Sequence, residues 1–99
     1  MSSFRIEAEP LVDADIESAF DWFESEQLGL GLEFLEEVRE AYLRIRDNPF
    51  KYADLRSGIR RSLTKRFPYA VYFAVEKELI VVLAVLHTAR DPAAWQFRL

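Results

Sequence analysis

The chain has 99 residues, 51% of them apolar and 14% aromatic, with no cysteine and a net charge of −4. That is enough for one domain to bury a core unaided, and it excludes both a disulfide framework and a thiolate metal site. The average charge hides a division, because residues 1–55 carry 14 acidic and 5 basic side chains while residues 56–99 carry 3 acidic and 8 basic. Such asymmetry concerns surfaces and partners, and it points to a basic binding surface in the C-terminal half.

In chain order, Phe4-Arg5-Ile6-Glu7-Ala8 alternates apolar and polar residues and predicts a short, half-buried strand that Pro10 ends. Asp13 or Asp15 then serves as a helix cap, with acidic charge at the positive end of the dipole. Val12, Ile16, Ala19, Phe20 and Phe23 recur at helical spacing, with Trp22 at the edge of the stripe. The two glycines of Gln27-Leu28-Gly29-Leu30-Gly31 predict a tight turn between antiparallel helices. A second stripe follows: Phe34, Leu35, Val38, Ala41, Tyr42 and Ile45. Glu33, Glu36, Glu37 and Glu40 occupy its opposite side and read as a solvated helix face. Asn48-Pro49 stops this helix.

From Ile59 the period becomes two. Ile59, Leu63 and Phe67 point one way, with Arg61 and Lys65 sharing their parity, and Arg60, Ser62, Thr64 and Arg66 point the other way. Tyr69 to Val75 is a β-branched and aromatic run, and Glu76-Lys77-Glu78 turns. Leu79 to Leu86 is apolar on both faces, which predicts a central strand, and is too short to cross a bilayer. The tail from Ala89 is basic and aromatic around Trp95. The order β-α-α-β-β-β predicts an α+β fold. A helical hairpin packs on one face of a mainly antiparallel four-stranded sheet, in a single domain spanning residues 1–99. The opening residues turn acidic by Glu7 without the apolar stretch of a signal peptide, so the expected location is the cytoplasm, with no membrane partner.

One histidine, no cysteine and scattered carboxylates offer no transition-metal set. Neither a glycine-rich phosphate loop nor a nucleophile elbow is present, and no cofactor is expected. The basic residues say more. Arg56, Arg60, Arg61, Lys65, Arg66, Arg90 and Arg98 cluster along the C-terminal half, and the predicted pairing brings several of them toward the sheet face left free by the helices. Planar guanidinium forks suit phosphates and carboxylates, although arginines on a strand also simply solvate an exposed face. His87 closes an apolar strand, a place where histidine is usually structural, with proton transfer as the alternative.

Arg60-Arg61-Ser-Leu-Thr-Lys65-Arg66-Phe67-Pro68-Tyr69, then Ile80 to His87, then Arg90-Asp91-Pro92 with Trp95, resembles the RelE/ParE toxin superfamily along the whole chain. The resemblance implies the toxin of a toxin–antitoxin pair, neutralised by an antitoxin protein. RelE-like members are ribosome-dependent mRNA endoribonucleases, and ParE-like members poison DNA gyrase. An arginine expected after Pro68-Tyr69 in RelE-like enzymes is Ala70 here, and Trp95 stands near their C-terminal tyrosine, so the ParE-like reading leads. That reading implies Arg60, Arg61, Arg66, Arg90, Trp95 and Arg98 as target contacts. The nuclease alternative implies Arg60, Lys65, His87 and Arg90 as the catalytic set, and a non-toxic binding scaffold of the same fold is the third possibility.

Overall fold

The computed structural model describes residues 3–89 together with Gln96 and Arg98. Strand β1 (Arg5–Ala8) leads into helices α1 (Pro10–Glu26) and α2 (Leu30–Asp47). A 3-10 turn at Pro49–Lys51 and an irregular connection precede β2 (Ile59–Leu63), β3 (Tyr69–Glu76) and β4 (Leu79–His87). The sheet order is β1-β4-β3-β2. β2, β3 and β4 run antiparallel, and β1 lies parallel to β4. The apolar Leu79–Leu86 run is central, between β1 and β3, as its two hydrophobic faces require. No helix among the described residues is long and apolar enough to cross a membrane.

Pro10 does not separate strand from helix with a loop. It is the first residue of α1, where its fixed φ suits the helix and its missing N–H costs nothing. Glu9 is the N-cap and makes no side-chain cap bond, so Asp13 and Asp15 lie inside the helix rather than before it. Asp13 still meets the helix dipole from the first turn. The two glycines of the interhelical turn have separate duties. Gly29 has φ of 90°, a left-handed conformation that glycine adopts without strain. Gly31 lies within α2, where an added Cβ would stand 2.7 Å from Phe20 Cδ2 and 2.7 Å from Glu24 Cγ of α1. The helices are close-packed at this point, and the Gly31 N–H donates to Glu24 Oε1 at 2.8 Å.

The main core lies between the helical hairpin and the sheet, joining Val12 and Ala19 of α1, Phe34, Val38 and Ile45 of α2, and Val71, Phe73, Ile80 and Val82 of the strands. An aromatic cluster closes one end, with Phe23 4.7 Å from Phe67 and Phe34 5.0 Å from Tyr69, centroid to centroid. The opposite sheet face is not the open platform the sequence suggests. Ile59, Ala70, Tyr72, Ala84 and Leu86 form a second buried cluster there.

The expected alternation from Ile59 through Phe67 also breaks. β2 ends at Leu63, and Thr64 Oγ1 donates to the carbonyl of Phe67 at 2.5 Å, folding the chain into a loop. Phe67 therefore turns into the helix-side core while Ile59 sits in the other cluster. In β4 a bulge at Leu83 places Tyr72 opposite Ala84 but Phe73 opposite Val82, which keeps both faces of the strand apolar across the irregularity.

The tight helix crossing makes a prediction. Gly31→Ala gains helix propensity but drives a methyl into the Phe20 ring and the Glu24 stem, so the variant should lose about 1 kcal/mol of stability in urea unfolding. A more stable variant would mean that the two helices separate freely at this point.

Candidate target-binding surface

Arg66 follows β2 in the loop leading to β3, directly against α2. Its guanidinium meets Glu33 Oε1 at 2.6 Å through Nη2 and Glu37 Oε2 at 3.0 Å through Nε. The other oxygen of Glu37 accepts the backbone N–H groups of Lys65 and Arg66, both at 2.8 Å. Glu37 is thus no part of a solvated stripe. Its side chain is only 10% exposed, and it ties the β2–β3 loop to the helix. Hydrogen bonds to Glu33 and Glu37 raise the Arg66 pKa and keep its charge fixed in this cluster.

Arg60 pairs with Phe73 in the sheet register, which puts it on the helix side. Its Nη1 donates to the Tyr52 carbonyl, and its guanidinium stacks 5.3 Å from the Phe50 ring centroid. Arg98 is engaged at the far edge. β1 pairs with β4 only as far as Val82, so the β1 side of β4 has no strand partner beyond that residue. There Arg98 Nη1 donates to the Leu83 carbonyl at 3.0 Å, and Asp15 Oδ2 accepts the Val85 N–H at 3.0 Å. The two side chains join each other, with Arg98 Nη2 2.8 Å from Asp15 Oδ1, and both are largely buried.

The described cations therefore do not converge on a free sheet face, and that expectation is corrected. Backbone carbonyls and carboxylates draw Arg60, Arg66 and Arg98 to three separate places. Of the expected set, Arg61 and Lys65 remain exposed with no ion-pair partner among the described residues. Arg90 and Trp95 lie outside the described residues. His87 Nδ1 accepts the Ala89 N–H at 2.9 Å, and its ring stands edge-on 5.3 Å from Tyr69, a packed and locally bonded position. No metal-holding group of histidine and carboxylates occurs among the described residues.

A family model for the ParE toxin of the type II toxin–antitoxin system parDE matches residues 6–92. The chain belongs to the ParE toxin family. The fold agrees with that of the chromosomal ParDE toxin–antitoxin system from P. aeruginosa, with a TM-score of 0.75 and 16% identity over 85% of this chain and 95% of that one. No curated relative matches. The ParE match contains Arg60, Arg61, Lys65, Arg66, His87 and Arg90 and stops before Trp95 and Arg98.

Sequence reasoning passed over a second feature of this ParE-family chain. A groove of about 580 Å³ runs beside β2 between the sheet edge and the connection that follows α2. It is lined by Arg44, Lys51, Tyr52, Leu55, Arg61 and Leu63. Leu55 and Leu63 remain 42% and 51% exposed, respectively. The only sign of it in the sequence is a lysine and a leucine inside a stretch that reads as polar connection, with nothing to tell that they face β2.

The two buried carboxylates generate tests. Burial pushes the Glu37 carboxyl up, but the hydrogen bonds from Arg66 and Lys65 and the Arg66 charge outweigh it and hold the pKa below the ordinary 4.5. The unfolded chain binds this proton more readily, so the stabilisation is complete above that value and fades as pH falls through the lower folded one. Glu37→Gln should lower stability at neutral pH by about 2 kcal/mol, and the gap to the parent should close as pH falls below 4.5. A gap independent of pH would show that the charge is not what holds the loop.

At the other edge, Asp15→Ala leaves the Val85 N–H and a mostly buried Arg98 without their acceptor. A loss of about 2 kcal/mol is expected. Adding Arg98→Ala should cost much less than it does alone, a coupling that a double-mutant cycle reads directly.

Proposed function

We propose that this toxin arrests growth by binding DNA gyrase and poisoning it, and that a cognate antitoxin protein neutralises it. The ParE family match over residues 6–92 carries the reading. Geometry supports a binding role over a nuclease one. Arg60 lines up through Phe73 with Val82, whereas His87 lies five residues further along β4, roughly 16 Å away along the strand. Arg60 is also committed to the Tyr52 carbonyl, so two members of the nuclease set do not meet on one substrate. A binding toxin needs only exposed, complementary charge, which Arg61 and Lys65 supply, with Arg90 and Trp95 of the tail as further candidate contacts. Action on gyrase places the work in the cytoplasm, and together with its antitoxin such a toxin serves plasmid stabilization.

Purified chain added to gyrase should block supercoiling or trap cleaved DNA. The Arg61→Glu/Lys65→Glu double variant should be weaker by about tenfold while its circular dichroism stays unchanged. Supercoiling untouched at large toxin excess would remove the gyrase reading. Transcripts cut in the ribosomal A site during growth arrest would then support the nuclease set of Arg60, Lys65, His87 and Arg90.

A further inference from the structure

We infer that the outer face of α2 is a self-association surface, on which a second copy of this chain packs antiparallel about a two-fold axis. The face is a stripe formed by Leu32, Glu36, Arg39 and Leu43, whose successive spacings are four, three and four residues. Those steps fall within about 60° of arc on a helix and make one ridge roughly 16 Å long. Phe34, Val38, Ala41 and Ile45 of the same helix are buried in the core on its opposite side. The stripe is therefore turned away from the core, and all of its residues are exposed.

Symmetry identifies the occupant. Read in reverse, the stripe becomes Leu43, Arg39, Glu36 and Leu32 at the same spacing. An antiparallel copy, with the axis passing between Glu36 and Arg39, sets Leu32 against Leu43 of the second copy and Glu36 against its Arg39. Each contact then occurs twice, which is the condition for an isologous interface. Parallel packing would bring Glu36 to Glu36 and Arg39 to Arg39, so the charges select the antiparallel arrangement.

Bonding within the chain does not exhaust these groups. Arg39 Nη1 meets Glu36 Oε1 at 3.2 Å, an exposed pair that holds both side chains on the ridge. Arg39 has further N–H donors and Glu36 a second oxygen to offer a facing molecule. Scattered leucines are ordinary on a protein surface, but Leu32 and Leu43 stand at the two symmetric ends of this charge pair and are 65% and 42% exposed. Leucine gives a helix no more than lysine or glutamate would at the same place. Helix propensity thus accounts for a helix former at each position and not for an apolar one. One helix face covers less than the roughly 800 Å² per partner of a standard interface, so the association is weak.

Sedimentation equilibrium of the full chain, run to about 1 mM, should show monomer and dimer exchanging with a dissociation constant on the order of 100 μM. Leu32→Ser and Glu36→Lys should each weaken it at least about tenfold, with circular dichroism unchanged because both positions are exposed. Adding Arg39→Glu to Glu36→Lys restores opposite charges across the axis and should return the constant to within about threefold of the parent. The register has its own readout. The chain has no cysteine, so Leu32→Cys/Leu43→Cys introduces its only two thiols, and they lie too far apart on one helix to join within a chain. Oxidation of that variant should give a covalent dimer whose peptide map links position 32 to position 43. The inference is overturned by a monomer throughout, by a dimer indifferent to Leu32→Ser or Glu36→Lys, or by a charge-swapped variant as weak as the single one. Disulfides joining 32 to 32 or 43 to 43 in place of the cross pair would overturn it equally. Gyrase and antitoxin take no part in these measurements, so their outcome is independent of the growth-arrest reading.

Discussion

A four-stranded sheet built from so few residues leaves backbone N–H and C=O groups at its ends and edges with no strand to pair them. Burying such a group unsatisfied costs about 1–3 kcal/mol. In this protein charged side chains take up the remainder. Glu37 holds the N–H groups of Lys65 and Arg66, Asp15 and Arg98 serve the edge of β4 beyond β1, Arg60 serves the Tyr52 carbonyl, and Arg44 serves the Leu63 carbonyl. The loops that connect the strands and the edge where β1 stops are therefore fixed by ionic groups. The hydrophobic core fixes the layers, and these bonds fix where the layers end.

The division of charge along the sequence takes on a different meaning in this light. An acidic first half and a basic second half suggest two faces turned toward different partners. Part of that charge instead meets inside the chain: Glu33 and Glu37 of the acidic half hold Arg66 of the basic half, and Asp15 holds Arg98. Asp15–Arg98 is largely buried, where removal of one member costs more than the pair contributes. Arg66 is mostly exposed, and it matters through the hydrogen bonds and charge it brings to the buried Glu37. Asymmetry along a sequence thus reports partners only after the chain's own pairings are subtracted.

Element order, the helical hairpin and the central position of Leu79–Leu86 were legible because each rests on local periodicity, which survives without knowledge of neighbours. Parity along β2 was legible only to Leu63, since Thr64 leaves the strand through a bond to Phe67 that no alternation rule contains. The role of Glu37 was hidden for a related reason. On the α2 pattern it sits beside Glu33 and Glu36 as one more polar position, and only the loop arriving almost thirty residues later buries it. The arginines were misplaced together because a strand pattern gives the side of a residue but not whether a nearby carbonyl will claim its guanidinium. The second apolar cluster, around Tyr72 and Leu86, was equally invisible, since an apolar central strand says nothing of what covers its far face.

What remains for a target is set by what the fold does not use. Arg61 and Lys65 stand at the β2 end of the sheet, and Arg61 also borders the apolar groove. Exposed single charges contribute little individually and chiefly speed encounter, so contact through them is sensitive to salt and tolerant of small shifts in geometry. The groove differs, because its main-chain edge and leucines are directional and apolar. A surface with one electrostatic and one directional component at the same residue selects by charge and by shape together.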